Sequence, residues 1–392
     1  MKIVRNTLLV FTLIFFSLGQ IGRIGIGDYP VFIHLYEVPL VLFTILLMFK
    51  FRLTPLLQSK LKILWIMAIW ALISFIISLF FYSWYENAIA LMYMLRLAFH
   101  LLFGMYVSTY ISQLSVTHLN TLKLVMYALI AWFAGTMIVQ YFLYPNIGNI
   151  AYLGWDPHIQ RAVGLFLEPP LAAAFLGLSM IYLYQSKLLI IYRYVSIGIL
   201  GMLFLLTYSR GALVAGLVTL GYLLLRSMKL QLLSIIIVII LLGLVLLGKS
   251  NLESTNLFRT SSIQSRMTDY QQGVEIWSQN IISGIGYNHI RFEKETYIDE
   301  VFVEDYNPSH GIASFHSSFL IVAVTTGVIG LAIAIIGLVQ LWSVNVYTKH
   351  AVIFLSIISL FDNVLLHPFI LVLFALMLAL NHSSHISPSS QA

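Results

Sequence analysis

Residues 232–247 read LLSIIIVIILLGLVLL, an apolar run without a single charge. A strand crossing a membrane barrel alternates apolar and polar side chains, so a run of this kind belongs to a helix. Runs of the same character, separated by short polar connections, recur from residue 7 to residue 380. At about 20 apolar residues per helical crossing, they leave room for roughly ten to twelve crossings. Composition agrees: of 392 residues, 60% are hydrophobic and 9% charged, where a soluble domain has roughly a quarter charged. No soluble fold of this size hides so much apolar surface.

The net charge of +6 is a topology signal and does not point to nucleic acid. Lys2, Arg5, Lys50, Arg52, Lys123, Lys187, Arg226, Lys229 and Lys349 fall in short connections or helix ends that an alternating topology places on one side, where no Asp or Glu falls. The positive-inside rule then predicts a cytoplasmic N-terminus and C-terminus. With no cysteine there is no disulfide and no thiolate metal site. The first apolar run follows Lys2 and Arg5 as a signal peptide would. Its sequel LGQIGRIGIGDYP has no small-x-small cleavage site, so it reads as a retained helix.

Hydropathy places helices at about 7–26, 31–49, 63–82, 88–110, 122–143, 163–185, 194–207, 212–225, 232–247, 315–342, 351–366 and 369–380. The expectation is an all-α integral membrane protein, one polytopic domain over residues 1–392. A single large extracytoplasmic loop at 249–314 joins the ninth and tenth helices, and a disordered cytoplasmic tail covers 382–392. Glu168-Pro169-Pro170 falls inside the sixth helix and predicts a bend there. The large loop holds nine of the 15 acidic residues, Asp269 among them, and reads as a solvated surface more readily than as a metal site. No internal repeat is visible.

Charged groups in or near an apolar slab cost several kcal/mol unless they face a polar cavity, so each is a functional candidate. Arg161 and Glu168, seven apart, would share a helix face as a site or as a structural ion pair. Arg96 and His100, four apart, read as an interhelical hydrogen-bond network. Arg210 closes the TYSRG turn, as an anion ligand or as a snorkelling anchor. Arg259 and Arg266 open the large loop where a lipid diphosphate would lie, and guanidinium forks suit phosphate oxygens. His316-Ser317 stands eleven residues, close to three turns, before Gly327-Val328-Ile329-Gly330. That spacing puts Gly327 and Gly330 beneath the histidine, where small residues admit a neighbouring helix. A histidine there is a structural group or a general base. There is no P-loop, Rossmann fingerprint or HExxH motif, which argues against an ATP-driven pump.

Taken in order, Arg161-Ala-Val-Gly164 with Pro169-Pro170, TYSRGAL at 207–213, Arg266, Trp277, Gly284-Ile-Gly286, and HSSFL with GVIG from His316 resemble the O-antigen ligase and O-antigen polymerase superfamily of bacterial membrane glycosyltransferases. The resemblance spans residues 160–330. It implies a GT-C-like architecture and metal-independent, cofactor-free, inverting glycan transfer at the outer face of the cytoplasmic membrane. By it, Arg161, Arg210, Arg266 and Arg259 hold a polyprenyl-diphosphate donor and His316 deprotonates the acceptor, with Glu168, Ser317, Gly327 and Gly330 in support. Implied partners are a polyprenyl-diphosphate-linked oligosaccharide, an acceptor glycan or lipid A-core, membrane lipid, and chain-length regulator or flippase proteins. TYSRGAL and GIGYN resemble polymerases somewhat more than ligases, and the histidine motif fits both. A transporter of lipid-linked sugars is a third reading, disfavoured because the polar residues gather at one end and no repeat appears.

Overall fold

A computed structural model describes residues 2–26, 31–58, 62–153, 157–226, 255–256, 261–296 and 314–382. The expected helix at 232–247, Arg259, most of the acidic stretch after residue 296 and the tail beyond 382 lie outside the described residues.

Helices dominate, and their faces show why. In α4 (Lys62–Ser78) apolar side chains surround the axis, with Ile66, Ile69, Ile73 and Ile76 exposed while Ser74 and Phe75 are buried. Such a helix suits hydrocarbon and not water. Helices α5 (Trp84–Ser112), α6 (Val116–Leu143) and α12 (Ser318–Trp342) are each long and apolar enough to cross a membrane, and seven shorter apolar helices accompany them. The remaining elements are α1 (Lys2–Phe16), β1 (Arg23–Ile26), β2 (Val31–His34), α2 (Glu37–Phe51), α3 (Thr54–Gln58), α7 (Pro169–Tyr184), α8 (Ile190–Leu206), α9 (Arg210–Arg226), α10 (Ser261–Gln279), α11 (Ile290–Glu295), α13 (Val346–Phe361) and α14 (Pro368–His382). Helix α14 packs along α5, α13 along α9, α12 along α4 and α13, and α7 along α8, while α10 lies on α12. The core is filled by Tyr36, Phe43, Phe103, Phe133, Phe175 and Phe354, with the small run Ala172-Ala173-Ala174 letting helices close on α7.

Four departures from the sequence expectation shape the functional end. The first helix stops at Phe16, and the chain continues as a 3₁₀ turn and an antiparallel hairpin in which Arg23 pairs with His34. Gly19 has φ +59° and sits against Leu165, whose carbonyl oxygen a Cβ would meet at 2.5 Å, so the chain breaks where only glycine fits.

The Pro169-Pro170 pair does not bend a helix but begins one. Residues 164–166 form a 3₁₀ turn, Leu167 is left-handed, Glu168 is extended, and α7 starts at Pro169. A proline has no amide proton to miss at the first helical position and forces the preceding residue out of the helical region. Arg161 and Glu168 therefore do not share a helix face.

Helix α12 is broken at Gly327 (φ 67°, ψ −173°). What approaches Gly327 is the backbone of the turn after α10, since a Cβ there would stand 2.0 Å from the Ile282 oxygen, whereas Gly330 lies against Thr326 and against Trp70 of the neighbouring helix α4. The carbonyls freed by the break are satisfied: Ile285 and Gly286 amides donate to Val324 and Thr325, the Trp70 indole donates to Thr326, and Val328 N–H returns the bond to Ile281. Gly284 (φ +70°) faces Thr325 with equal closeness. GIG and GVIG are thus two halves of one backbone-to-backbone joint.

Finally, the polar segment after residue 261 is built into the bundle. Ile276, Ile285, Ile290, Phe315, Leu320 and Val324 form a small core between α10 and α12. Asp269 is buried there, so it is not part of a solvated acidic surface.

Candidate functional site

Helices α2, α5, α7, α9, α12 and α14 all begin at one end of the bundle, around a cavity of about 560 Å³. Arg161, Glu168, Arg210, Arg266 and His316, expected from sequence, all line it. Arg259 lies outside the described residues.

Backbone carbonyls hold Arg161, and carboxylates hold Arg266 and His316. Arg161 is 5% exposed, and its Nε and Nη2 donate to the Thr207 and Tyr208 carbonyls at 2.8 and 3.1 Å. The TYSRG turn thereby orients the guanidinium that precedes α7. Arg210 opens α9 beside Gly211, where a Cβ would meet the Asp362 Oδ2 and Phe361 Cβ, both at 2.8 Å. Arg266, in the first turns of α10, donates from Nη2 to Asp362 Oδ1 at 2.7 Å. Asp362 is thus the common neighbour. Burial holds its carboxyl above the usual range, and the charges of Arg266, His316, Arg161 and Arg210 offset only part of that rise.

His316 precedes α12, with 40% of its side chain exposed. Its backbone N–H donates to Asp269 Oδ2 at 2.8 Å, and its Nδ1 lies 2.9 Å from the same oxygen. A carboxylate only accepts, so Nδ1 carries the proton and Nε2 is the basic nitrogen. The other Asp269 oxygen takes the Lys294 ammonium at 2.5 Å, and Lys294 also donates to the Ser314 carbonyl. Burial alone would raise the Asp269 carboxyl. The bonds from His316 and Lys294 outweigh it and hold the carboxyl below its usual range.

Ser317 does not face the cavity chemistry. It is buried, its Oγ accepts from the Leu320 N–H as the N-cap of α12, and it donates to the Ser359 carbonyl. Ser318 and Asn363 complete the weld between the start of α12 and the corner at 362–367. Gly327 acts at the joint, two residues past Thr325, which lines the cavity.

Arg96 and His100 form the expected network and border the cavity too. Arg96 Nε donates to Glu37 Oε1 at 2.5 Å, with Nη2 on His34 and Nη1 on the Phe32 carbonyl. His100 Nδ1 donates to the Arg96 carbonyl. The network ties α5 to α2 and the hairpin. It continues from His34 through Gln20 to His367.

Sequence reasoning passed over Asp269, Lys294, Glu37, Arg23 and Asp362 as site residues. Only Asp269 left a usable signal: it follows Arg266 by three, which on a helix is one face.

Comparison with known proteins gives one result with a functional meaning. Residues 194–335, from α8 through most of α12, match the family described as O-antigen ligase. The resemblance to the O-antigen ligase and polymerase superfamily therefore holds for that segment, which carries Arg210, Arg266, Asp269 and His316. No curated protein matches the chain.

Proposed function

From an O-antigen ligase segment in a membrane protein, we propose that this chain transfers a glycan from a polyprenyl-diphosphate-linked donor, with the cavity on the outer face of the cytoplasmic membrane. The observation that carries this reading is the convergence of three arginines and one carboxylate-oriented histidine on a single cavity. Arg161, Arg210 and Arg266 gathered around Asp362 give that side of the cavity a net positive charge, which suits a diphosphate diester. As the bond from the anomeric carbon to the diphosphate oxygen breaks, the electron pair leaves with the diphosphate. Guanidinium groups already held by backbone carbonyls and Asp362 meet that charge without reorganising. Removing one such donor from a preorganised anion site typically costs about 10²–10³ in kcat.

The acceptor hydroxyl gives its proton to His316 Nε2 while its oxygen forms the new bond to the anomeric carbon from the opposite face, which inverts the configuration. Asp269 keeps Nδ1 protonated, so the free lone pair points to the cavity, and it stabilises the imidazolium that forms. Lys294 fixes the carboxylate in turn.

We read the product as a surface polysaccharide and the reaction as polymerisation of lipid-linked repeat units. The family description keeps transfer of a finished polysaccharide to lipid A-core or protein as the second reading. Purified protein incubated with lipid-linked repeat units alone separates them. A ladder without further acceptor is a polymerase, and product only after addition of lipid A-core or acceptor protein is a ligase. His316→Ala and Arg266→Ala abolish either product with membrane insertion intact; normal products from both variants refute glycan transfer at this site.

A further inference from the structure

A second concavity, a groove of about 360 Å³, runs between α2 and α5 under the hairpin strand β2. Its walls are almost wholly apolar, with Val38 and Leu42 on α2 facing Met92, Leu95 and Phe99 on α5. Val38, Leu42, Met92 and Leu95 are exposed along its rim, on a bundle surface that hydrocarbon covers. A groove of this kind on a lipid-facing surface takes a hydrocarbon chain, and its inner end determines which chain.

That inner end borders the cavity: Phe32, Tyr93, Arg96 and His100 line both. The Arg23 guanidinium, itself a cavity residue, sits 3.8 Å over the Phe32 ring. An amphiphile lying in the groove therefore brings its headgroup into the polar cavity beside a cation. Glu168 and Arg96 are the charges nearest Arg23. The arginines around Asp362 form a separate pole, on α9, α10 and the strand-like segment before α7. The groove lies between two helices with the hairpin above it and borders the cavity to which a polyprenyl diphosphate is assigned above, so the chain it is matched to is an isoprenoid.

We propose that this groove holds the isoprenoid tail of the acceptor, a second lipid-linked diphosphate whose head meets Arg23. The proposal rests on the glycan-transfer reading and selects the polymerase form of it, in which both substrates are lipid-borne.

The test is photo-crosslinking of the full chain in detergent with a benzophenone-bearing farnesyl diphosphate, followed by mapping of labelled peptides. Label is expected within residues 31–42 and 92–99. Leu42→Trp and Met92→Trp, at exposed positions that leave the melting temperature unchanged, fill the groove and reduce that label about tenfold. Arg23→Ala weakens it about tenfold by removing a charge-assisted contact. Unlabelled farnesyl diphosphate competes, and phosphatidylglycerol does not. Absence of label from these two peptides, label indifferent to both tryptophans, or equal competition by phosphatidylglycerol overturns the proposal. The readout is independent of turnover: label in the groove with no product from repeat units alone or with added lipid A-core or acceptor protein refutes glycan transfer alone, and ladders without label refute the groove alone.

Discussion

Replacing Asp269 with asparagine keeps the side chain's size and removes its charge, so it isolates what the carboxylate does for His316. The wild-type oxygen accepts from both the His316 amide and Nδ1, at 2.8 and 2.9 Å. Asparagine can still accept, but the imidazolium formed during proton transfer loses a counter-charge about one hydrogen bond away. A bare Coulomb estimate at an effective dielectric near 20 gives about 4 kcal/mol at 4 Å. Lys294, 2.5 Å from the other oxygen, opposes an imidazolium and reduces that figure. The remainder, about 1.5–3 kcal/mol, is the range for hydrogen bonds to charged groups. It corresponds to a fall in kcat of roughly 10–10²-fold. Because the donor's arginines are untouched, KM for the lipid-linked donor stays within about threefold. The assay is single-turnover ladder formation by purified protein, with His316→Ala and the double variant alongside. Through a shared histidine the effects do not add, so the double variant is no slower than His316→Ala alone. An Asp269→Asn enzyme within twofold of wild-type kcat, or one whose loss adds fully to that of His316→Ala, refutes the positioning role.

Other expected outcomes follow from the same contacts. Gly327→Ala forces a Cβ to within 2.0 Å of the Ile282 oxygen at a positive φ; thermal unfolding in detergent should show a loss of at least 3 kcal/mol or so, whereas Gly135→Ala, with open space around it, should not. Ser317→Ala removes the N-cap of α12 and should cost about 1 kcal/mol of stability while leaving polymer length unchanged; loss of turnover at normal stability would place the hydroxyl in the chemistry. The pH dependence of stability has a definite sign. Against the pull of burial, the bonds from His316 and Lys294 hold the Asp269 carboxyl below its usual range, so its contribution is present above the unfolded carboxylate's pKa of about 3.9 and is lost as pH falls through the folded value. The melting-temperature gap between wild type and Asp269→Asn should therefore be constant above about pH 5 and close in stronger acid; a gap that widens in acid contradicts the assignment.

What the sequence alone determined was the solvent and which polar side chains gather at one cavity. Apolar runs like 232–247 require hydrocarbon around helices whatever their packing, because burial of that much surface has no other outlet in a single chain. Arg161, Arg210, Arg266 and His316 were legible because charge in such a setting is costly unless it faces a polar space, and all four line one cavity. Tertiary structure decided the rest. Helical periodicity says nothing about where a glycine will turn left-handed under a neighbour's carbonyl, so the break at Gly327 and its joint with Gly284 were invisible. The Pro-Pro pair was read as a bend because hydropathy carries across it, while the backbone begins a helix there. Asp269 looked like one acid among nine because charge density in a segment measures average solvation. Burial of one carboxylate between an imidazole and an ammonium depends on contacts across 47 and 25 residues of chain, which no local pattern encodes.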